Sequence, residues 1–312
     1  MAVYAPRRDW LEIQLRSLEA QTYPHLRLYI RDDASPEMTE AELRALAGEC
    51  IRSFPVEIRR NERNLGSNET FARLTAEAEG EYFAYCDQDD EWNSDKLAVL
   101  AETMERERAE LVCSDMTVMD ENGVQTADSI TRLRRHHIFR SGTGLAPELL
   151  FRNFAAGCTA LVRADTARKA LPFCPYMVHD HYLTLCCAER GRVVSLPDKL
   201  IRYRIHAGNQ TLLLSGVTDR ESYGRIRIDG MAARLSWLSE HFSCGAETAG
   251  TLRKGLLWAR ARQRNWRREG GAKTVWTYRR FSPLVSVFEI LAVHLSDSIL
   301  RVCIAAGKRN WV

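Results

Sequence analysis

The stretch Glu81-Tyr82-Phe83-Ala84-Tyr85-Cys86-Asp87-Gln88-Asp89-Asp90-Glu91-Trp92 decides the fold. Its first half, EYFAYC, is aromatic-rich and reads as a short β-strand. The strand runs straight into three carboxylates within four positions, Asp87, Asp89 and Asp90. Such a cluster repels itself unless a cation or hydrogen-bond donors compensate. Hard oxygen ligands of this kind favour Mg²⁺ or Mn²⁺ over zinc, with water and substrate phosphates completing the shell. A solvated acidic turn is the alternative reading. Its place at the end of an apolar strand, where open α/β sheets bind ligands, favours a site.

Outward from this point the chain alternates as a βαβ protein should. Upstream, Trp10, Leu11, Leu15 and Leu18 recur at helical spacing, and Leu26–Arg31 reads as a strand ending in Asp32-Asp33. A helix is expected over Glu37–Cys50, a strand over Val56–Ile58, a loop over Asn61–Ser67 and a helix over Asn68–Ala78. Downstream, strands are expected over Ala109–Met119, Phe154–Val162 and Val193–Arg204, with a helix over Asp180–Arg190. From about Ser222 the pattern is helical. The expected fold class is α/β, a Rossmann-like mixed sheet flanked by helices. Its boundaries are residues 1–214 for the sheet domain and 215–312 for a helical, basic C-terminal region.

One carboxylate of the Asp32-Asp33 pair could accept hydrogen bonds from a ribose or pyrimidine, or make an N-cap or turn. Asn64-Leu65-Gly66 could bring backbone close to a ligand, or simply turn the chain.

Of 312 residues, 45% are hydrophobic and 27% charged, which excludes a disordered or fibrous chain. The formal charge of +3 hides an asymmetry. Residues 251–312 hold 13 Lys+Arg against 3 Asp+Glu, leaving the first 250 residues net acidic. Nine scattered cysteines, without a C-x-x-C pair, read as buried thiols of a reducing compartment. Nothing in the opening residues reads as a secretory leader. Leu284–Ala306 carries Glu289, His294, Asp297 and Arg301, which a spanning helix would bury at a cost of a few kcal/mol each. The expectation is a cytoplasmic protein that at most lies on a membrane.

Taken in order, seven elements resemble the family 2 glycosyltransferases of the GT-A, nucleotide-diphospho-sugar fold. They are Gln14-Leu15-Arg16-Ser17-Leu18, Gln21-Thr22-Tyr23, Asp32-Asp33-Ala34-Ser35, Asn64-Leu65-Gly66, Tyr85–Trp92, His179-Asp180-His181-Tyr182, and Tyr203-Arg204-Ile205-His206-Ala207-Gly208-Asn209. The D-Q-D-D-x-W form with the later H-D and Y-R-x-H is most similar to bacterial rhamnosyltransferase-type members.

The resemblance implies roles residue by residue. Tyr4 would sit against the nucleotide base and Asp33 would hydrogen-bond it, with Asn64, Gly66 and Gln88 also lining the nucleotide-sugar site. Asp87 would lie near the ribose and sugar phosphate. Asp89 would bind the divalent cation, Mg²⁺ or Mn²⁺, and His206 would contact the diphosphate or complete the metal shell. Asp180 would be the catalytic base of an inverting transfer, the alternative being a helix cap. Trp92, His179, His181 and Arg204 would contact the acceptor or support the site. The donor implied is a dTDP- or UDP-sugar, with rhamnose favoured. The acceptor is a glycan or lipid-linked saccharide of a bacterial surface polysaccharide.

Family members open with a buried strand before the position matching Tyr4, whereas here the sequence starts Met1-Ala2-Val3-Tyr4. The first strand is therefore expected to be truncated by roughly half a dozen residues. That raises an alternative, a non-catalytic scaffold or binding protein on the same fold. A nucleotidyltransferase would need a Gly-rich basic triphosphate loop near the N-terminus, and the sequence there has none.

In the basic tail, Arg260, Arg262, Arg264, Arg267 and Arg268 interleave with Trp258, Trp266, Trp276 and Tyr278. They suggest a cationic helix face suited to an inner-membrane surface, with a plain solvated helix as alternative and no nucleic acid expected. Leu284, Val287, Leu291 and Leu295 read as a packing stripe against the catalytic body.

Overall fold

The computed structural model describes every residue except 135–136, 207, 210–215 and 311–312, and the side chains of 308–310. The order is β1 (Ala2–Val3), α1 (Arg8–Glu19), β2 (Leu28–Asp32), α2 (Glu40–Cys50), β3 (Val56–Arg60), α3 (Ser67–Glu77), β4 (Tyr82–Ala84), β5 (Glu91–Trp92) and α4 (Lys96–Glu107). There follow β6 (Ala109–Met119), β7 (Gln125–Ala127), α5 (Ile130–Leu133), α6 (Ala146–Leu149), β8 (Ala160–Arg163), α7 (Ala164–Lys169), α8 (His179–Arg190) and β9 (Arg192–Arg204). The remainder is helical: α9 (Arg220–Tyr223), a π-helical turn, α10 (Gly230–His241), α11 (Ala246–Trp266), α12 (Ala272–Thr277), α13 (Pro283–Ala292) and α14 (Asp297–Asn310).

Two compact units divide the chain. The first comprises Met1–Leu145, Asn153–Phe173 and Val178–Ala207; the second comprises Ala146–Arg152, Cys174–Met177 and Gly208–Val312. The expected boundary at 214/215 lies outside the described residues.

In the first unit, β1-β2-β3 form a parallel sheet and β4-β8-β6-β9-β5 a mixed one, with β7 added to β6. β6 pairs with β8 antiparallel and β9 parallel, so it is covered on both edges. That central place explains its nearly continuous burial in place of alternation. α1 turns Trp10, Leu11, Leu15 and Leu18 inward, as their spacing predicts. α2 starts at Glu40, three residues later than expected, because Thr39 and Glu42 form a reciprocal capping box. α3 starts after Gly66, whose φ of 82° a side chain would strain. β1 contributes only two residues, paired with Arg31 and Asp32. Beside it a cavity of about 730 Å³ opens between Leu28 and Tyr29 of β2 and Tyr82 to Ala84 of β4, with Met1 and Phe71 on its wall.

Three sequence expectations fail here. The strand expected over Phe154–Val162 shrinks to Ala160–Arg163, because Gly157–Thr159 closes a 3₁₀ turn. In the tail, Trp258 and Arg262 are buried, so Arg262 is not part of the cationic face. Its guanidinium forms a buried ion pair with Glu289 (2.5 Å), which also accepts from the Tyr223 hydroxyl (3.0 Å). Finally, Leu284, Val287 and Leu291 are exposed, whereas Leu295 is partly buried in the cluster of Tyr223, Ile228 and Leu300. The turn that buries Glu289 turns these three outward.

All nine cysteines are free, seven of them buried. Among the described residues no helix is long and apolar enough to cross a membrane.

Candidate active site

Adjacent carboxylates at the end of β2 do different work. Asp32 accepts from the Ser35 N–H (3.0 Å), its hydroxyl and the Arg60 guanidinium, which fixes the turn after the strand. Asp33 reaches the next loop. Its Oδ1 accepts from the Asn61 amide (2.8 Å) and the Leu65 N–H (2.8 Å), and its Oδ2 from the Gly66 N–H (2.8 Å). Asn64 accepts from the same Gly66 N–H at 3.0 Å. Asp33, Asn64 and Gly66 thus form one assembled corner. A carboxylate offers about four acceptor sites, so Asp33 keeps capacity for one more donor.

The acidic loop is clamped on both sides. The Gln88 side chain exchanges two hydrogen bonds with the Tyr4 backbone (2.8 and 3.0 Å), leaving the Tyr4 ring exposed. Glu91-Trp92 pairs with β9 through Arg202 and Ile201, a strand hidden inside the acidic motif. Trp92 is buried in the core and so cannot touch an acceptor; it carries the Lys96 ammonium over its ring at 3.1 Å.

Asp87, Asp90 and Cys158 bring their polar atoms within 4.8 Å of one another. Burial, then the neighbouring carboxylates, hold both Asp87 and Asp90 well above the usual carboxylate range. Lys96, buried behind them, donates to the Cys158 carbonyl. Burial pulls its ammonium down to about 7 against the opposing pull of Cys158, Cys86, Asp90 and Asp87. The Cys158 thiol is pushed far up by burial and then by Asp90, so it stays protonated and is a poor ligand for a hard cation.

Asp89 points elsewhere. Its Oδ2 lies 2.7 Å from His206 Nε2, both side chains partly exposed at 14% and 17%. The Trp10 ring packs on the imidazole, centroids 4.9 Å apart. Arg204 is bolted beneath: its backbone N–H donates to Asp90 (3.0 Å), and its guanidinium to the carbonyls of Asp89 (2.8 Å), Asp120 (3.2 Å) and Glu121 (3.3 Å). Arg204 therefore shapes the loop from below. The partly exposed Asp89 carboxylate, with the borderline His206 nitrogen beside it, fits Mn²⁺ or Mg²⁺ better than the buried trio with its protonated thiol does.

Asp180 sits in the first turn of α8, but Val178 occupies the cap position and no side chain caps this helix. Its carboxylate instead accepts from the Gly157 N–H (3.1 Å) and the Asn153 amide (3.2 Å). Burial pushes it up to about 6, against the pull of the Gly157 and His181 N–H groups and Arg134. Its charge in turn helps raise Asp87. A Cβ at residue 157 would lie 2.9 Å from His179 Nε2, so this close approach requires glycine. His179 is packed between Phe71 (4.1 Å) and Tyr85 (5.4 Å), and burial pushes it down to about 3. It is a neutral core ring. His181 is buried as well.

The sequence reading missed Trp10, Lys96, Asn153, Gly157 and Arg134 as members of this site. Only Lys96 left a local signal, a lysine four residues after Trp92 where α4 begins.

The mixed sheet with carboxylates at its strand ends and a further acid on α8 matches the nucleotide-sugar (GT-A) fold of the solved glycosyltransferases it superposes on. The chain belongs to glycosyl transferase family 2, whose description matches residues 2–168. It is 29% identical over 210 residues to an uncharacterized protein of Mycobacterium tuberculosis, covering 66% of this chain and 57% of the relative's length. A putative teichuronic acid biosynthesis glycosyltransferase of Bacillus subtilis, TuaG, is 28% identical over 116 residues, 37% of this chain and 45% of its own. S. aureus TarS 1–349, solved with UDP-GlcNAc, superposes with a TM-score of 0.60 at 16% identity, over 99% of this chain and 87% of that one. A Pyrobaculum calidifontis mannosyltransferase, solved with GDP-Man and Mn²⁺, gives 0.54 at 14% identity, over 99% and 81%.

Proposed function

We propose that the chain is a divalent-metal-dependent, inverting glycosyltransferase. It moves a sugar from a nucleotide-diphospho-sugar to a saccharide acceptor in bacterial surface-polymer synthesis. The observation that carries this reading is the arrangement of the carboxylates. Asp89 and His206 present a partly exposed carboxylate–imidazole pair, and Asp180 stands on a separate helix with its carboxylate pushed up to about 6.

In this reading Tyr4 offers its exposed ring to the nucleotide base. Asp33 keeps the 64–66 corner in place and spends its remaining acceptor capacity on the base. Gln88 holds the Tyr4 segment against the acidic loop, and Asp87 approaches the ribose and sugar phosphate. Asp89 and His206 would hold Mg²⁺ or Mn²⁺, which when bound supplies Lewis-acid stabilisation of the departing diphosphate. Asp180 takes the acceptor hydroxyl's proton as that oxygen attacks the anomeric carbon, a step worth about 10²–10⁴-fold. A carboxyl near 6 is ionised at neutral pH yet more basic than an ordinary aspartate, as that task requires.

The nucleotide sugars bound by TarS and the mannosyltransferase support a nucleotide-sugar donor, and TuaG supports a cell-envelope acceptor. The D-Q-D-D-E-W motif favours dTDP-rhamnose as donor. A lipid-linked acceptor would place the basic C-terminal region at the cytoplasmic face of the inner membrane.

The test is titration calorimetry with dTDP and UDP, each with and without Mn²⁺ or Mg²⁺, on the wild type and Asp89→Ala. Metal-dependent binding of one nucleotide, lost in the variant, is expected. Equal binding by the variant would remove Asp89 from the metal site.

A further inference from the structure

Helix α13 is built inside out. Its buried face carries Ser286, Glu289 and Ala292, and its solvent face carries Leu284, Val287 and Leu291, exposed at 71%, 40% and 60%. The inward polar groups are fully used. Ser286 accepts from the Trp258 indole (3.1 Å), and Glu289 accepts from Arg262 (2.5 and 2.6 Å) and Tyr223 (3.0 Å). The Glu289 carbonyl takes the Asn265 amide at 3.1 Å. This network fixes the rotation of the helix, so the leucines cannot turn inward without leaving a buried arginine unpaired.

The surroundings of the exposed face identify its partner. Just before α13, Trp276 is 52% exposed, and the Arg279 guanidinium lies 4.3 Å over its ring. Between residues 272 and 294 the basic residues Lys273, Arg279 and Arg280 are exposed and the one acid, Glu289, is buried and paired, while the exposed acids Glu269 and Asp297 flank the segment, Asp297 paired with Arg220 (2.7 Å). An outward apolar row, an exposed tryptophan and a net positive exposed charge match the boundary between headgroups and acyl chains of an anionic bilayer. A protein-binding face carries no such requirement for one sign of charge.

We propose that the outward face of α13, with Trp276, Arg279 and Arg280, is the surface on which this chain lies on anionic phospholipid. The inference deepens the membrane contact proposed above, and it moves that contact from the arginines of α11 to the apolar row of α13. Leu284, Val287 and Leu291 enter the acyl boundary while Arg279 and Arg280 meet headgroup phosphates.

The test is co-sedimentation of the full chain with vesicles of phosphatidylcholine alone, and of phosphatidylcholine with phosphatidylglycerol in equal parts. The wild type is expected to bind the anionic vesicles only, and less so as salt rises. The double variant Leu284→Ser with Leu291→Ser should lose about tenfold or more in partitioning. Arg279→Gln with Arg280→Gln should lose a similar factor at low salt. All four side chains are exposed, and unchanged circular dichroism checks that the variants fold. Failure to bind anionic vesicles, or undiminished binding by the leucine variant, overturns the proposal. So does a vesicle-free dimer that the serine substitutions dissociate, since a second copy would then be the occupant. Nucleotide titration on the same samples separates this outcome from failure of the catalytic reading: either property can be lost while the other persists.

Discussion

Replacing Asp180 by Asn tests activity and stability through one ionisation. The folded carboxyl is pushed up to about 6 from an ordinary value of 3.8, about two pKa units. At about 1.4 kcal/mol per unit, the ionised form costs the folded state at most about 3 kcal/mol. The sign follows from proton binding. Between pH 4 and 6 the unfolded chain has released this proton while the folded chain still holds it, so stability falls as pH rises through that window. Below pH 4 the penalty is absent, and above pH 6 it is complete. Asn cannot ionise and still offers an oxygen to the Gly157 N–H. Urea unfolding of both proteins from pH 4 to 7.5 should show the wild type losing about 2–3 kcal/mol relative to Asp180→Asn as pH rises. Nucleotide release during transfer should show a wild-type kcat/KM that climbs through a limb near pH 6, and a variant slower by about 10²–10⁴-fold. A stability difference that stays flat with pH would refute the burial argument, and retained turnover would refute the base.

Three other perturbations follow from the geometry. Lys96→Met removes a cation that lowers Asp87, so metal-dependent nucleotide binding by calorimetry should shift to higher pH, most visibly below pH 7 where Lys96 is charged. Arg204→Met leaves the carbonyls of Asp89, Asp120 and Glu121 without their donor; urea unfolding should show a loss of about 3 kcal/mol, and a loss under about 1 would deny the clamp. Glu289→Ala strands the buried Arg262 and should cost about 3–5 kcal/mol, most of it recovered in the double variant Glu289→Leu with Arg262→Met.

What the sequence made legible follows local physics. Amphipathic spacing revealed α1, and an apolar run meeting carboxylates revealed β4 and the acidic loop, because those signals lie in consecutive residues. The division of labour between Asp32 and Asp33 was not legible, since it depends on Arg60 and the 61–66 loop arriving from elsewhere. His179 looked like a site residue beside Asp180, yet the α-helical turn of about 100° per residue sends neighbours to different faces. One faces the Asp87 site and the other enters the Phe71–Tyr85 cluster. The tail misled for a related reason. A stripe of leucines predicts burial only when the opposite face is more polar and free to face water, and in α13 Arg262 and Trp258 claim the polar face first.

The acidic loop shows why so costly an arrangement persists. Asp87, Asp89, Asp90 and Asp180 bring four carboxyls to one region, and three of them are raised above their ordinary range. Lys96 and Arg204 offset part of that charge from the core side, through buried bonds that also fix the loop's shape. Arg204 reaches the Asp89 carbonyl, and the Asp89 carboxylate meets His206 at the outer edge. An apolar replacement of the cluster would fold more easily, but it would offer nothing to a metal diphosphate. The buried cations hold the loop's shape, and in the proposed reading the Asp89–His206 pair at its mouth would receive the divalent ion.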